Sequence, residues 1–377
     1  MRWRRYECAW SACLRMPTEP KHAPSEGLEI ASLRILRLAL GTSLSLWFSQ
    51  AVAWDMSFIA PVMTMFILAL PMPAPKLKSG IAFVVVLAVA LNAGLFLLPT
   101  LLNQPLVGLL LLILGLYWSF YFTAKGGSAV LGTFATMGIA IATAIGTVNL
   151  DAVLSVIGGV TTGGFVGILF VWIAHALLPD SLAIPAKPLQ AEKPTETGKP
   201  GLVEARRSAF RSLMIVLPIA LWFLFSSASA AYVPVMIKVA SMGQQASNDA
   251  TRLASKSLLM STIIGGIGAI IAWQVLRIVP SLGVYTLLIA LSGLLMGTRI
   301  FKGPAMHQNG STWSYAYLTM IVIIAPAVMD SASGASADVK FWERLVMFGG
   351  TTLYAMLAVT VFDAFKPNRA QSVAAIK

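Results

Sequence analysis

The stretch Tyr232-Val-Pro-Val-Met-Ile-Lys-Val-Ala-Ser241 decides the fold. It lies in an apolar segment of the kind that sits inside a lipid bilayer, yet it carries Pro234 and a full positive charge, Lys238. A charge at membrane depth is costly and marks a functional site by default. The tripeptide Pro-Val-Met occurs again at Pro61-Val62-Met63, also early in an apolar segment. Aligning the two copies sets Met65 opposite Lys238. Two matching segments, only one of them charged, point to a duplicated transporter with an asymmetric centre.

The rest of the chain has the composition of a membrane protein. Of 377 residues, 57% are hydrophobic and only 11% charged, too few to cover the surface of a soluble domain. Apolar runs of about 20 residues match the thickness of a bilayer. Bounded by Pro, Gly and charge, they give six spans in the first half: 32–53, 56–72, 79–98, 105–123, 128–147 and 152–178. The second half gives 207–228, 231–243, 256–276, 281–298, 312–329 and 341–364. The span 231–243 is too short to cross alone as a regular helix. Between the halves, Pro185, Pro188, Pro194 and Pro200 alternate with Lys and Glu, the composition of an exposed linker. The expected organisation is a tail 1–28, a first repeat 29–179, a linker 180–205, a second repeat 206–366 and a tail 367–377.

Five motif pairs occur in the same order in the two halves. Leu46-Trp47-Phe48 recurs as Leu221-Trp222-Phe223, and Pro61-Val62-Met63 as Pro234-Val235-Met236. Lys125-Gly126 recurs as Lys302-Gly303, Thr136-Met137 as Thr319-Met320, and Leu178-Pro179 is matched by Lys366-Pro367. The offsets run 175, 173, 177, 183 and 188, as loop insertions would produce. Six spans per half keep both halves in one orientation. The expected fold is therefore an all-α integral membrane protein of about twelve transmembrane helices, built as two parallel six-helix repeats.

Charge sets the orientation. The side that receives both tails, the linker and the loops after spans 2, 4, 8 and 10 carries 23 of the 27 Lys and Arg residues. Arg277, Lys340 and Arg344 fall on the other side, and Lys238 lies within. Positive residues stay cytoplasmic, so both termini are expected in the cytoplasm of a bacterium, with the chain in its inner membrane. The net charge of +12 then reports topology and contact with lipid headgroups, not a nucleic-acid partner. The basic start Met1-Arg-Trp-Arg-Arg5 is not followed by a signal-peptide core, and Met16 is an alternative start. Cys8 and Cys13 lack a second pair, so no zinc site is expected.

The motifs of enzymes are missing. There is no G-x-x-x-x-G-K-S/T, no G-x-S-x-G and no H-E-x-x-H, and His22, His175 and His307 are widely separated. No catalytic residue, metal or cofactor is expected. What remains is a set of groups at membrane depth. Lys238 either faces a substrate path or snorkels to the interface. Pro61 and Pro234 are expected to interrupt their helices and free backbone groups near the midplane, or to be inherited kinks. Asp55 is either a helix-start acid or part of a proton relay, and His175 is interfacial or handles protons. Trp47 and Trp222 pack in the core, join an interfacial belt, or wall a planar substrate. Asn92 suits a helix–helix hydrogen bond or a substrate contact. Glu343 and Arg344 can pair with each other or with Asp330, in a coupling or gating role. The glycine runs 158–164 and 349–352 read as helix packing surfaces.

Four segments together resemble the superfamily of fusaric-acid-resistance and aromatic-acid exporter proteins of bacterial inner membranes, in particular a compact uncharacterised branch of it. They are Leu33-Arg34 to Ser49, Ser57-Phe-Ile-Ala-Pro-Val-Met63, Tyr232-Val-Pro-Val-Met236, and Glu343-Arg344 to Gly350. The resemblance implies proton-driven efflux of aromatic or other organic acids, often with a periplasmic adaptor of the membrane-fusion type. It implies that the Pro61 and Pro234 segments line the path and that Arg344 is the positive residue near the start of the last span. A related plant group consists of malate-permeable anion channels. Full-length exporters carry a large cytoplasmic domain, where this chain has only the short linker. The expected function is export of a small organic anion by a protein that interacts with the bilayer, with an adaptor and self-association as further partners. An anion channel of the same fold and a non-transporting scaffold for an adaptor are the alternatives.

Overall fold

The computed structural model describes residues 25–54, 56–147, 149–180, 201–225, 233–248, 251–302, 305–332 and 337–365. Six helices make the first half: α1 (Ser25–Val52), α2 (Ile59–Leu68), α3 (Leu77–Asn103), α4 (Pro105–Ala124), α5 (Ala129–Gly146) and α6 (Leu150–Leu177). Six make the second: α7 (Leu202–Phe225), α8 (Val233–Asn248), α9 (Thr251–Ile278), α10 (Leu282–Ile300), α11 (Gly310–Ala332) and α12 (Ala337–Phe365). Each falls where hydropathy places one of the twelve predicted spans. Among the described residues nine helices are long and apolar enough to cross a membrane, so the chain is an all-α, multi-pass membrane protein. The sequence gives no hint of the two-residue hairpin β1 (Phe301–Lys302) and β2 (Ala305–Met306), which joins α10 to α11 with Phe301 opposite Met306. Residues 1–24 of the predicted tail 1–28, all of the predicted tail 367–377, and most of the predicted linker 180–205 lie outside the described residues.

Proline placement differs from expectation, for a physical reason. Pro61 is the third residue of α2 and Pro234 the second of α8, so both lie in first turns. There a missing N–H costs nothing, because the first turn's donors have no intrahelical acceptor. They start helices rather than interrupt them. The interior prolines are Pro99 in α3, Pro218 in α7 and Pro326 in α11. Interior proline is tolerated in membrane helices, where neighbours and local distortion satisfy the freed carbonyl. The span expected at 56–72 shrinks to the 10-residue α2, because Pro71, Pro73 and Pro75 withhold donors and force an extended run up to Lys76. At 1.5 Å per residue α2 is only about 15 Å long, half a bilayer core. In the turn before it, Ala53 and Met56 hold left-handed backbone at φ 54° and 59°. Such angles are uncommon outside glycine. Hydrogen bonds from Ser57 N to Trp54 O and from Ile59 N to Met56 O hold this turn.

The packing of the two halves follows one scheme. In the first half α6 packs on α1, α2, α3 and α5; in the second, α12 packs on α7, α8, α9 and α11. The pairs α1–α2, α3–α5 and α4–α5 have counterparts in α7–α8, α9–α11 and α10–α11. Across the halves, α1 packs on α10 and α4 on α7, and α5 packs on α8 as α11 does on α2. The innermost layer is α2, α5, α8 and α11. Residues 59–65 of α2, 235–243 of α8 and 316–327 of α11 are buried without interruption. Phe66 joins three of these helices, meeting Phe134 and Tyr315 edge-on at 6.0 and 6.4 Å between ring centroids.

One glycine face is needed for this layer. A Cβ built on Gly167 would sit 2.5 Å from Met63 Cβ and 3.1 Å from Ala60 O, so α6 and α2 meet backbone to backbone. Thr64 Oγ1 uses that approach, within 2.9 Å of Ala60 O and 3.2 Å of Gly167 O. The run at 158–164 is thus a packing surface at Gly163 and Gly164, as expected, but not at Gly158, which faces open space. Gly349 and Gly350 depart from expectation in the same way: nothing lies within 4 Å of a Cβ placed there.

Candidate functional site

Lys238 lies on α8 in the innermost layer and is 1% exposed. Its Nζ donates to Thr319 Oγ1 at 2.6 Å. Thr319 sits near the middle of the 23-residue α11, so the ammonium is held at mid-depth rather than drawn to an interface. The side chain turns into the bundle toward α11 and does not extend toward a helix end. The Thr319 hydroxyl commits its one hydrogen to Tyr315 O at 2.7 Å, which leaves an oxygen lone pair for the lysine. Ser241 Oγ donates to Lys238 O at 2.7 Å and ties the lysine's own turn.

The electrostatics are one-sided. Lys238 has one neutral acceptor and no carboxylate partner among the described residues. The ion pairs lie elsewhere, at the helix ends. An ammonium carries three donors, so two N–H groups remain for something else. A buried charge is normally paired, because hydration lost on burial has to be replaced. The ammonium therefore has donor capacity that its one hydroxyl partner does not use.

The first half holds the uncharged counterpart. Met65, 1% exposed, occupies the matching place on α2. It offers Thr136 no hydrogen bond, and Thr136 Oγ1 instead meets Ser119 Oγ at 2.8 Å. Ser119 donates to Gly132 O at 2.9 Å, so the shared hydrogen comes from Thr136. Sequence reasoning did not single out Thr319 as a site residue. Its signal was present in the Thr136-Met137 and Thr319-Met320 pair, which marks the same turn of α5 and α11.

A second cluster closes the end of the bundle where α9 and α11 end and α12 begins. Asp330 pairs with Arg344 Nη2 at 2.7 Å and with Lys340 Nζ at 3.3 Å. Asp338 takes Arg277 Nε at 3.4 Å and the Trp273 indole N–H at 2.9 Å. Of the two pairings open for Arg344, the structure has the one with Asp330, and Glu343 points away on the exposed face.

The remaining expected residues do not join the centre. Trp47 and Trp222 are 50% and 72% exposed near the last turns of α1 and α7, the placement of an interfacial belt rather than of a substrate wall. Asn92 Nδ2 donates to Ala88 O of its own helix at 2.8 Å and bridges no helices. Pro61 is buried in α2 beside Met63 and Met65. His175 stands at the end of α6, with Nδ1 2.9 Å from Val171 O. Asp55 lies outside the described residues.

Residues 34–174 match a family model described as "Protein of unknown function (DUF2955)", a membrane-protein family. The match begins in α1 and ends in the last turn of α6, so it spans the first half. No curated protein and no solved structure matches the chain.

Proposed function

We propose that this protein moves small organic anions across the inner membrane of a bacterium, along the axis between α2, α5, α8 and α11, with Lys238 as the passing partner of the anion. One observation carries the reading: a lysine sealed at mid-depth, held by a single neutral hydroxyl, with no carboxylate partner among the described residues. Intramembrane cations of this kind mark ligand and ion pathways. The matching packing of the two halves supports a duplicated chain whose pseudo-two-fold axis runs along the membrane normal through this layer. The placement of 23 of 27 Lys and Arg residues supports cytoplasmic tails. The exporter resemblance makes an aromatic monocarboxylate the first substrate to try.

The test uses full-length protein in liposomes with benzoate as the probe. Wild-type protein is expected to carry benzoate, and Lys238→Met, which copies the first half, to abolish the flux. Retained flux in Lys238→Met overturns the assignment. Driving force separates the two transport modes of this fold. Benzoate movement against its own gradient, lost when a proton ionophore is added, identifies a proton-coupled exporter. Current that follows only the benzoate gradient identifies a channel. Wild-type protein that moves no benzoate and still holds an adaptor identifies the scaffold.

A further inference from the structure

The innermost layer loses its seal at the end of the bundle where α2 ends and α5 and α11 begin. On α2 the buried run 59–65 stops at Phe66, and on α11 the buried run 316–327 starts just after Tyr315; both of these rings are only partly buried. Phe66 meets Tyr315 at 6.4 Å and Phe134 at 6.0 Å between ring centroids, each edge-on. Phe134, in the second turn of α5, is fully buried. The Phe66–Tyr315 contact crosses from the first half to the second. Each ring is displaced toward the open end from a residue of the centre: Phe66 follows Met65, Phe134 precedes Thr136 by two positions, and Tyr315 precedes Thr319 by four. Four residues are about 6 Å of helix, and the Tyr315 carbonyl takes the hydrogen of the Thr319 hydroxyl at 2.7 Å. The three rings thus lie between the partly open end and the Lys238–Thr319 pair.

The trio has no copy in the other half. The alignment that sets Met65 opposite Lys238 sets Phe66 opposite Val239, and the one that sets Thr136 opposite Thr319 sets Phe134 opposite Tyr317. Tyr317 turns to α10 instead, where its hydroxyl donates to Ile289 O at 2.9 Å. One half brings a charge to the layer and the other brings the rings beside it.

We infer that Phe66, Phe134 and Tyr315 form a gate, a ring barrier that shuts Lys238 off from this end of the bundle and opens when Phe66 parts from Tyr315. The gate rests on the path along the axis proposed above. Phe66 carries no donor and no charge, so its departure strands neither, whereas parting an ion pair such as Asp330–Arg344 at the opposite end would leave a buried charge uncompensated.

The test reads thiol accessibility at the centre. Full-length protein lacking Cys8 and Cys13 and carrying Lys238→Cys is placed in vesicles of either orientation and treated with a small membrane-impermeant methanethiosulfonate. Adding Phe66→Ala is expected to raise the labelling rate roughly tenfold or more from the side expected to be cytoplasmic, because reaching the thiol no longer displaces a packed ring. Tyr315→Leu, at a partly exposed position, is expected to raise it in the same direction and carries the test where Phe66→Ala does not fold, which thermal unfolding checks. Phe348→Ala, which removes a fully buried ring from α12 outside the innermost layer, leaves the rate unchanged. The inference is overturned when folded Phe66→Ala and Tyr315→Leu proteins label like their parent, when Phe348→Ala speeds labelling as much, or when the gain comes only from the other side. The readout needs no substrate. Faster labelling in a protein whose wild type moves no benzoate supports the ring barrier and overturns the transport reading, and unchanged labelling beside intact benzoate flux does the reverse.

Discussion

Replacing Lys238 by methionine should stabilise the protein. The wild-type lysine gives up its hydration almost completely, at 1% exposure, and recovers one hydrogen bond of 2.6 Å. The effective cost of burying an ammonium is several kcal/mol. A hydrogen bond to a charged group returns about 1.5–3 kcal/mol. The balance is unfavourable, with no carboxylate among the described residues to restore it. Methionine has similar length, bends to fill the space and carries no charge. It strands no donor either, because the Thr319 hydroxyl keeps its bond to Tyr315 O. Met65 on α2 shows that the innermost layer accepts this side chain fully buried. Exchanging a buried ion for a packed apolar group gains on the order of 1–4 kcal/mol, so Lys238→Met should unfold at higher temperature and higher denaturant than wild type. The assay is thermal and denaturant unfolding of purified protein in detergent, followed by helical circular dichroism. A loss of about 2 kcal/mol or more would falsify the argument. It would make the lysine a structural tie between α8 and α11 rather than a cation held at a cost for function.

Gly167→Ala should cost roughly 1–3 kcal/mol, because its Cβ would strike Met63, whereas Gly350→Ala, with open space around it, should be neutral or slightly stabilising; paired unfolding curves compare them. Asp330→Ala leaves the buried Arg344 without its carboxylate and should destabilise by about 3 kcal/mol. Lys340→Ala should cost under about 1 kcal/mol, since that side chain is 43% exposed, and equal losses from the two variants would show that burial does not govern this cluster. In a background lacking Cys8 and Cys13, Gln190→Cys should react with a membrane-impermeant maleimide only after the cytoplasmic side is opened. Labelling of intact cells would reverse the topology.

The sequence was most informative where one physical force dominates. Burial against lipid sets helix number, so each of the twelve apolar runs corresponds to a helix. Desolvation makes a mid-span charge conspicuous, and Lys238 is indeed sealed at depth. Position within a helix was harder to read. Pro61 and Pro234 are donors removed where donors are spare, and the difference between a first turn and an interior turn depends on a start point that hydropathy blurs by a few residues. The side of a helix that faces inward was also hard to read. Trp47 and Trp222 are as apolar as core residues, and only packing shows that they face outward. Tertiary pairs were least legible. Thr319 and Asp330 acquire their meaning from partners 81 and 14 positions away in the chain, and Arg37 from Leu178 and Asp180, 141 and 143 away.

The difference between the two halves bears on what the centre can accept. Packing partners match helix by helix, yet among the described residues only α8 brings a charge to the middle of the shared layer, and α2 brings Met65. A pair of lysines facing one another across the axis, as buried as Lys238 and Met65 are, would repel and would suit a dianion. A single lysine balances a single negative charge. Under the proposed function the centre therefore favours monocarboxylates: a dicarboxylate would bring a second charge into the layer with no second cation among the described residues at mid-helix to meet it, at a cost of several kcal/mol. The hydroxyls of Thr136 and Ser119 do not relieve that cost, since each already gives its hydrogen, one to Ser119 Oγ and the other to Gly132 O. What they retain are acceptor lone pairs, which repel an anion, so under the proposed function the Lys238 side of the axis is the favourable one.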